Sequence, residues 1–503
     1  MTSLVFYLSA AVLFAHSTAG AANCGIAPIY VDIHRRSVQG SLASNDYQYG
    51  AFMGLGTPTV AGKQAQNGSL WPSLVQNHTS FSSPNFCKNS TLRECDRLTG
   101  GIYVSGDSTT FRELGKDFQS LDADRNTTVK GRFAKETVRL YTHYFESEND
   151  PATQTALEDV VIKVADSGSV RPGVVGIGQS STILKDLVTQ NKIAGRTYSL
   201  YIGQGFERAQ GIVNGSNTFG GYDHGRFTGK VHSFPMTTSN ANPFTVKVKD
   251  IYITDSATPK MNVSLFDTKV FPTEKKPESF DAQITTDQYP LSLPYQITQN
   301  FMNHMEAQKD NFWGDNSLKL KNSFNGTLSI VIEGKDGDFI VTLPPDVLMN
   351  KSNITPIQDR EEKSTAPFLL STAFLTQVYL MADFDASTFH LAKAVVDHRA
   401  VMPVTFCPGT VPVPYVRPDQ SAWTKQGLIG AVVGGVLGGM GIVVCIYFFL
   451  VTFLRRRWAK QMEDEVEKGL KANKMAQFQV QEVQQFDPPP KKSKGAFWKR
   501  GNK

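Results

Sequence analysis

The sequence predicts an all-β domain followed by one transmembrane helix. Three observations point there. Residues 23 to about 405 break into short apolar, β-branched segments separated by Gly, Pro, Asn, Asp and Ser, which is the punctuation of strands and turns. Only two stretches in that region read as helical, 180–191 and 295–308. Gly427 to Leu454 is an uncharged apolar run with the length a bilayer requires.

Taken in chain order, residues 4–15 are apolar and Ala19, Gly20, Ala21 and Ala22 follow. This reads as a signal peptide over 1–22, removed near Ala22. In the body, Val160–Val164, Phe244–Val248 and Ile330–Ile332 exemplify the expected strands. Pro408 to Ser421 is rich in Pro and Val, so 408–426 is expected to be an extended stalk. The span itself is placed at 427–454, and Arg455, Arg456 and Arg457 follow it at once. The positive-inside rule puts that end in the cytosol. The expected topology is a single-pass type I membrane protein of the cell surface or a secretory or vacuolar compartment. Gly430, Gly434 and Gly438 lie at four-residue spacing, which lets helix backbones approach closely and offers a route to a homodimer. In the tail, 455–503, Met462–Gln485 is charged and can be helical, and Pro488–Pro490 end it. Lys491–Arg500 mixes bases with Phe497 and Trp498, a composition suited to an anionic inner leaflet.

Charge divides at the membrane. The tail carries 13 Lys and Arg against 6 Asp and Glu, and the remainder 38 against 40. The positive balance therefore belongs to the tail, and the body gives no reason to expect a nucleic-acid partner. Of five cysteines, Cys445 lies in the span, leaving Cys24, Cys87, Cys95 and Cys407 outside. An even lumenal count fits two disulfides. No CxxC or Cys/His cluster is present, so no metal or cofactor is expected. Asn-x-Ser/Thr sequons occur at Asn67, Asn77, Asn89, Asn126, Asn214, Asn262, Asn325, Asn350 and Asn353. All precede the span, which suggests N-glycosylated surface loops.

Four stretches then carry a resemblance. Tyr49–Pro58 contains Gly56-Thr57-Pro58 at the turn of a hairpin. Gly173–Gly178 is a hydrophobic-Gly strand followed by a short helix and Arg196–Tyr201. Gly220–Asp223 precedes Phe227-Thr228-Gly229. Phe374-Leu375 leads to Val378–Leu380 and Asp383-Phe384-Asp385. In this order they resemble the pepsin-like aspartic peptidases. The resemblance implies a bilobal pepsin-like fold, with lobes at 23–232 and 233–407 and an extended peptide or protein ligand in the interlobe cleft. It also brings the ends of the domain together, so that Cys24 can pair with Cys407 once Cys87 pairs with its near neighbour Cys95.

The chemistry of that family needs two carboxylates sharing a proton across one water. Family members read Asp-Thr-Gly, later followed by Leu-Pro. Counting back from Leu293-Pro294 puts Thr285 at the second aspartate, with Thr286 next and Asp287 replacing the glycine. For the first aspartate two registers stay open. An ungapped count from Gly-Thr-Pro gives Asn67, and an insertion after Pro58 gives Pro72-Ser73-Leu74. Neither offers an acid, and no Asp or Glu occurs between Asp46 and Glu94. Ser371 replaces a family glycine, the flap corresponds to Tyr141–Asp150, and Thr286, Asp287, Ser371 and Tyr144 are the cleft candidates that the resemblance implies. No HExxH, GxSxG or P-loop supplies another chemistry, and His224 beside Asp223 reads as a turn residue. The resemblance thus implies a membrane glycoprotein whose aspartic peptidase ectodomain lacks catalysis and binds peptide or protein. The alternatives are an active aspartic endopeptidase pairing Asp287 with Asp46, Asp96 or Asp107, and a surface receptor or adhesion protein signalling through its tail.

Overall fold

The computed structural model describes residues 24–39, 45–92, 95–122, 127–142, 154–204, 213–255, 262–272, 276–310, 315–350, 352–397, 400–416 and 420–481. The expected signal peptide, Asn126, Tyr144 and the basic segment 491–500 lie outside them. Residues up to Tyr415 form one compact unit, and the chain from Val416 forms a second.

The first unit is almost entirely β. Its largest sheet has thirteen strands. At one end Phe227–Pro235, Thr388–Ala394, Val378–Asp383, Thr197–Tyr201, Gly215–Phe219 and Ile29–Gln39 pair antiparallel in turn. This stretch draws strands from both halves of the chain and joins them. The expected boundary at 232/233 falls inside Phe227–Pro235, where the ladder is bulged between Thr228 and His232. From Ile29–Gln39 the sheet continues through the hairpin partner Asn45–Leu55 to Gln66–Ser73. It ends in the long strands Gln154–Gly168, Thr127–Tyr141 and Arg112–Asp122. The second half builds its own sheet in the order Phe339–Leu343, Gly326–Ile332, Thr245–Asp255, Phe280–Ile284, Phe368–Leu370, with Asn262–Ser264 against Thr245–Asp255.

The sequence pattern explains these placements. Phe339–Leu343 alternates buried and exposed residues, as a strand with one solvated face must. Val378–Asp383 is buried throughout because both of its faces are covered. The main core cluster reaches from Ile29 to Leu391, and two smaller ones gather around Tyr379 and Phe86. The expected helices are present over Thr182–Thr189 and Tyr295–Met305. In the first, Ser181 Oγ accepts the Leu184 N–H, while Ile183, Leu184 and Leu187 face inward; an N-cap and one apolar face suffice for so short a helix.

Both expected disulfides are formed, Cys24–Cys407 and Cys87–Cys95, each with Cα atoms 5.6 Å apart. The first closes the domain beside the pairing of Gly221–Asp223 with Pro403–Thr405. The chain after it departs from the expected stalk. The Tyr415 N–H donates to His224 O at 2.8 Å, and the His224 and Tyr415 rings lie 5.2 Å apart. The segment to Tyr415 is thus held on the domain surface by backbone hydrogen bonding, and helix already begins at Gln420.

The second unit is that helix, Gln420–Gln481. It is long and apolar enough to cross a membrane. Ile442, Val443, Tyr447, Phe448 and Phe449 are all exposed on it, an apolar surface that water disfavours and lipid accepts. The described part of the glycine series, Gly438, has open space beside it.

Candidate functional site

Two strand ends meet at one place, and the sheet defines which residues are equivalent there. Gln66–Ser73 runs parallel to Val174–Gly176, with Ser73 opposite Gly176. In the second half Phe280–Ile284 runs parallel to Phe368–Leu370, with Ile284 opposite Leu370. The Thr285 N–H donates to Leu370 O at 3.0 Å, so the next step sets Thr285 beside Ser371. Each short partner strand feeds a helix, Thr182–Thr189 in one half and Thr372–Leu375 in the other. Ser73 and Thr285 therefore occupy matching positions in a duplicated motif.

Hydrogen bonds join the two strand ends. The Ser73 hydroxyl donates to Asp287 Oδ1 at 2.8 Å. The Trp71 indole N–H donates to Thr286 O at 2.8 Å. The Leu74 N–H donates to Thr286 Oγ1 at 3.3 Å. Ser73 Oγ also accepts the Gln76 N–H, and Thr285 Oγ1 accepts the Asp287 N–H at 3.1 Å. Ser73, Thr285 and Thr286 are buried, whereas Asp287 is exposed. The Thr372 hydroxyl donates to Thr286 O and Gln288 O. Beside this floor the Arg171 guanidinium lies 5.4 Å over the Trp71 ring.

This corrects the ungapped register. Asn67 sits opposite Gly54 in the ladder with Asn45–Leu55, six residues and about 20 Å of strand before Ser73. The turn after Pro58 displaced the count. The alternative on the Leu70–Val75 run comes closer but sets Pro72, one residue before Ser73, at the aspartate; Trp71 as a contact of the second half had no sequence signal. Ser371 is corrected too. It is fully buried and its hydroxyl donates to Tyr289 O, so it buttresses the floor without lining the cleft.

The rival acids lie elsewhere. Asp46 is opposite Val38 in the first hairpin, Asp96 is in the short helix Cys95–Leu98, and Asp107 is in the turn Ser105–Asp107. A buried carboxylate, Glu136, accepts the hydroxyls of Tyr103 and Thr110 and the Thr137 N–H; burial, then Glu136, pushes the Tyr103 phenol well up. Under the shared sheet, burial raises the Asp223 carboxyl, while N–H donors from Met402 and Gly225 and the charge of Arg226 oppose the shift. Among the described residues, no group of three His, Cys, Asp or Glu side chains is placed to hold a metal.

Sequon positions differ in access. Asn89, Asn262 and Asn325 are exposed, and Asn67, Asn77, Asn214 and Asn353 are half-buried. Asn350 is corrected: it is buried, and its Oδ1 accepts the N–H groups of Ser352 and Ile354, so its carboxamide closes a turn.

The family described as eukaryotic aspartyl protease matches residues 75–394, beginning just past Ser73. Secreted aspartic protease 8 of Candida albicans is 27% identical over 245 residues, covering 45% of this chain and 54% of that protein. Candidapepsin-2 of Candida parapsilosis is 26% identical over 145 residues, 27% of this chain and 31% of that one. The chain thus matches about half the length of the first of these relatives. An aspartic proteinase structure from Irpex lacteus aligns over 73% of this chain and 97% of its own, at 15% identity and a TM-score of 0.48.

Proposed function

Because this chain belongs to the eukaryotic aspartyl protease family, whose pepsin-like bilobal fold implies a peptide-binding cleft, we propose that it is a membrane-anchored member without peptidase activity that holds an extended peptide or protein segment. One observation carries the reading. Ser73 and Thr285, the matching strand-end positions, both bear hydroxyls. Aspartic peptidase hydrolysis needs one carboxylate as base toward water and a second, protonated one. A hydroxyl is neutral throughout the pH range in which such a pair works, and both hydroxyls already serve internal hydrogen bonds.

The test is digestion of an acid-denatured protein by full-length protein in detergent, across acid to neutral pH, with and without pepstatin. No cleavage is expected. Pepstatin-sensitive cleavage would sink the reading. It would favour the endopeptidase alternative, for which Asp287, the exposed carboxylate on the floor, is the supporting observation.

The rest of the proposal concerns placement. The signal peptide and the Arg455–Arg457 stop support a type I orientation with a cytosolic tail. Exposed Asn89, Asn262 and Asn325 are the favoured glycan sites. Protease protection of the tail in sealed vesicles, and a mobility shift on deglycosylation, check these two claims.

A further inference from the structure

The first unit ends on an apolar strip. From Pro408 to Tyr415 the chain carries no charged residue, and exposure alternates along its last part. Val411, Val413 and Tyr415 are 45–61% exposed, whereas Pro412 is buried and Pro414 half-buried. That is the pattern of an extended chain lying along the domain with every second side chain turned out. Its backbone is fixed in this pose. The Val413 N–H donates to the Tyr222 hydroxyl at 3.3 Å, and the Tyr415 N–H to His224 O. Along an extended chain successive N–H groups point to opposite edges. The edge away from the domain therefore falls to residues 412 and 414, and both are prolines without an N–H. From 412 to 415 the strip thus turns out two apolar or aromatic side chains, with Val411 before them, and leaves no N–H donor unbonded.

We infer that this strip is a membrane contact, with Val411, Val413 and Tyr415 seated in the headgroup–acyl boundary of a bilayer. The inference rests on the membrane-anchored reading above. Chain connectivity names lipid as the occupant. Residues 416–419 alone separate Tyr415 from the helix that begins at Gln420, and the apolar run begins at Gly427. The link from Tyr415 to Gln420 reaches at most about 17 Å, so the anchor keeps lipid at a high effective concentration around the strip. The composition fits that surrounding. Tyrosine is a residue of membrane–water interfaces, and an N–H without a partner, which lipid would penalise, is absent from 412–415.

The experiment uses the full-length chain carrying Cys445→Ala, which removes the free thiol, and either Val413→Cys or Val411→Cys labelled with an environment-sensitive fluorophore. It is reconstituted in phosphatidylcholine vesicles, zwitterionic because the strip is uncharged. Val60→Cys, in the turn after Pro58 and exposed, is the water reference. We expect emission from both strip positions to be blue-shifted from the reference and quenched by lipid nitroxides, more by one near the headgroup than by one at the chain end, as a depth of about 5–10 Å requires. Flotation with the vesicles after an alkaline wash measures anchoring separately. Protein that floats but emits from both strip positions like the reference would overturn the inference and leave the anchored reading standing. A blue shift that the nitroxides do not quench would mean that protein covers the strip, and would overturn it as well. Protein that does not float would overturn the anchored reading, and the inference with it.

Discussion

Gly176 and Ser371 occupy matching steps of the duplicated motif but face different surroundings. A β-carbon at Gly176 would meet the His78 backbone at 2.5 Å, and backbone cannot rotate aside as a side chain can. Gly176→Ala should therefore cost about 3 kcal/mol through forced backbone shifts, read as a lower urea midpoint. At Ser371 the hydroxyl replaces that constraint with a bond to Tyr289 O. Ser371→Gly should lose about 1–2 kcal/mol, from the bond and from added freedom in the unfolded chain. The same pair of segments shows what could be read from residues alone. Thr285 was placed because Leu293-Pro294 lies a short, uninterrupted count away. Ser73 was missed in the ungapped count because the turn after Pro58 adds residues that carry no periodic signal; Val60 there is 52% exposed. Asp287 reaching Ser73 spans 214 residues, a juxtaposition that only the folded sheet creates.

At the scale of elements, strands and helices were legible wherever burial follows a period. The helix Thr182–Thr189 shows the economy of such a signal: Ser181 caps it and three aliphatic side chains anchor it. Ser181 Oγ also donates to Gly176 O at 2.5 Å, so the cap ties the helix to the strand that backs Ser73. Ser181→Ala should cost about 1–2 kcal/mol, at the upper end for a cap because a second bond is lost with it; thermal unfolding measures it. Leu187→Ala, in the same helix and fully buried, should cost more, about 2–5 kcal/mol, through transfer and cavity. The order of thirteen strands was not legible, because pairings such as Ile29–Gln39 with Gly215–Phe219 are chosen by long-range packing that no local window contains. The long C-terminal helix was legible in its apolar part. Its continuation to Gln481 follows from Ala, Lys, Glu, Gln and Met after Arg457, residues of high helix propensity.

For the whole molecule, the shared sheet is the joint between the halves, and buried titratable groups of opposite sign lie on it and on the two-stranded ladder beside it. His390, on Thr388–Ala394, sits opposite Ser233 and Met381 in its two ladders. Its Nδ1 lies 2.8 Å from Ser233 Oγ, and the Phe406 ring packs near it. Burial lowers its pKa from 6.5 to about 4. Unfolded, the imidazole takes its proton near 6.5; folded, it waits until about 4. Stability from this group is therefore complete above 6.5 and is lost as pH falls through that window, by about 3 kcal/mol at its lower end. Asp223 acts the other way. Its folded pKa is raised above 3.8 by burial, so the folded state holds that proton more tightly. Its contribution is complete below 3.8 and is lost as pH rises through the raised value. The two terms overlap in the acid range. His390→Asn can keep a polar partner for Ser233 and removes only the histidine term. Urea midpoints measured from pH 7 down to 4 should then fall for the natural protein and fall by about 3 kcal/mol less for His390→Asn. Parallel profiles for the two would show that the imidazole titrates normally in the fold and that the joint does not sense acid through it.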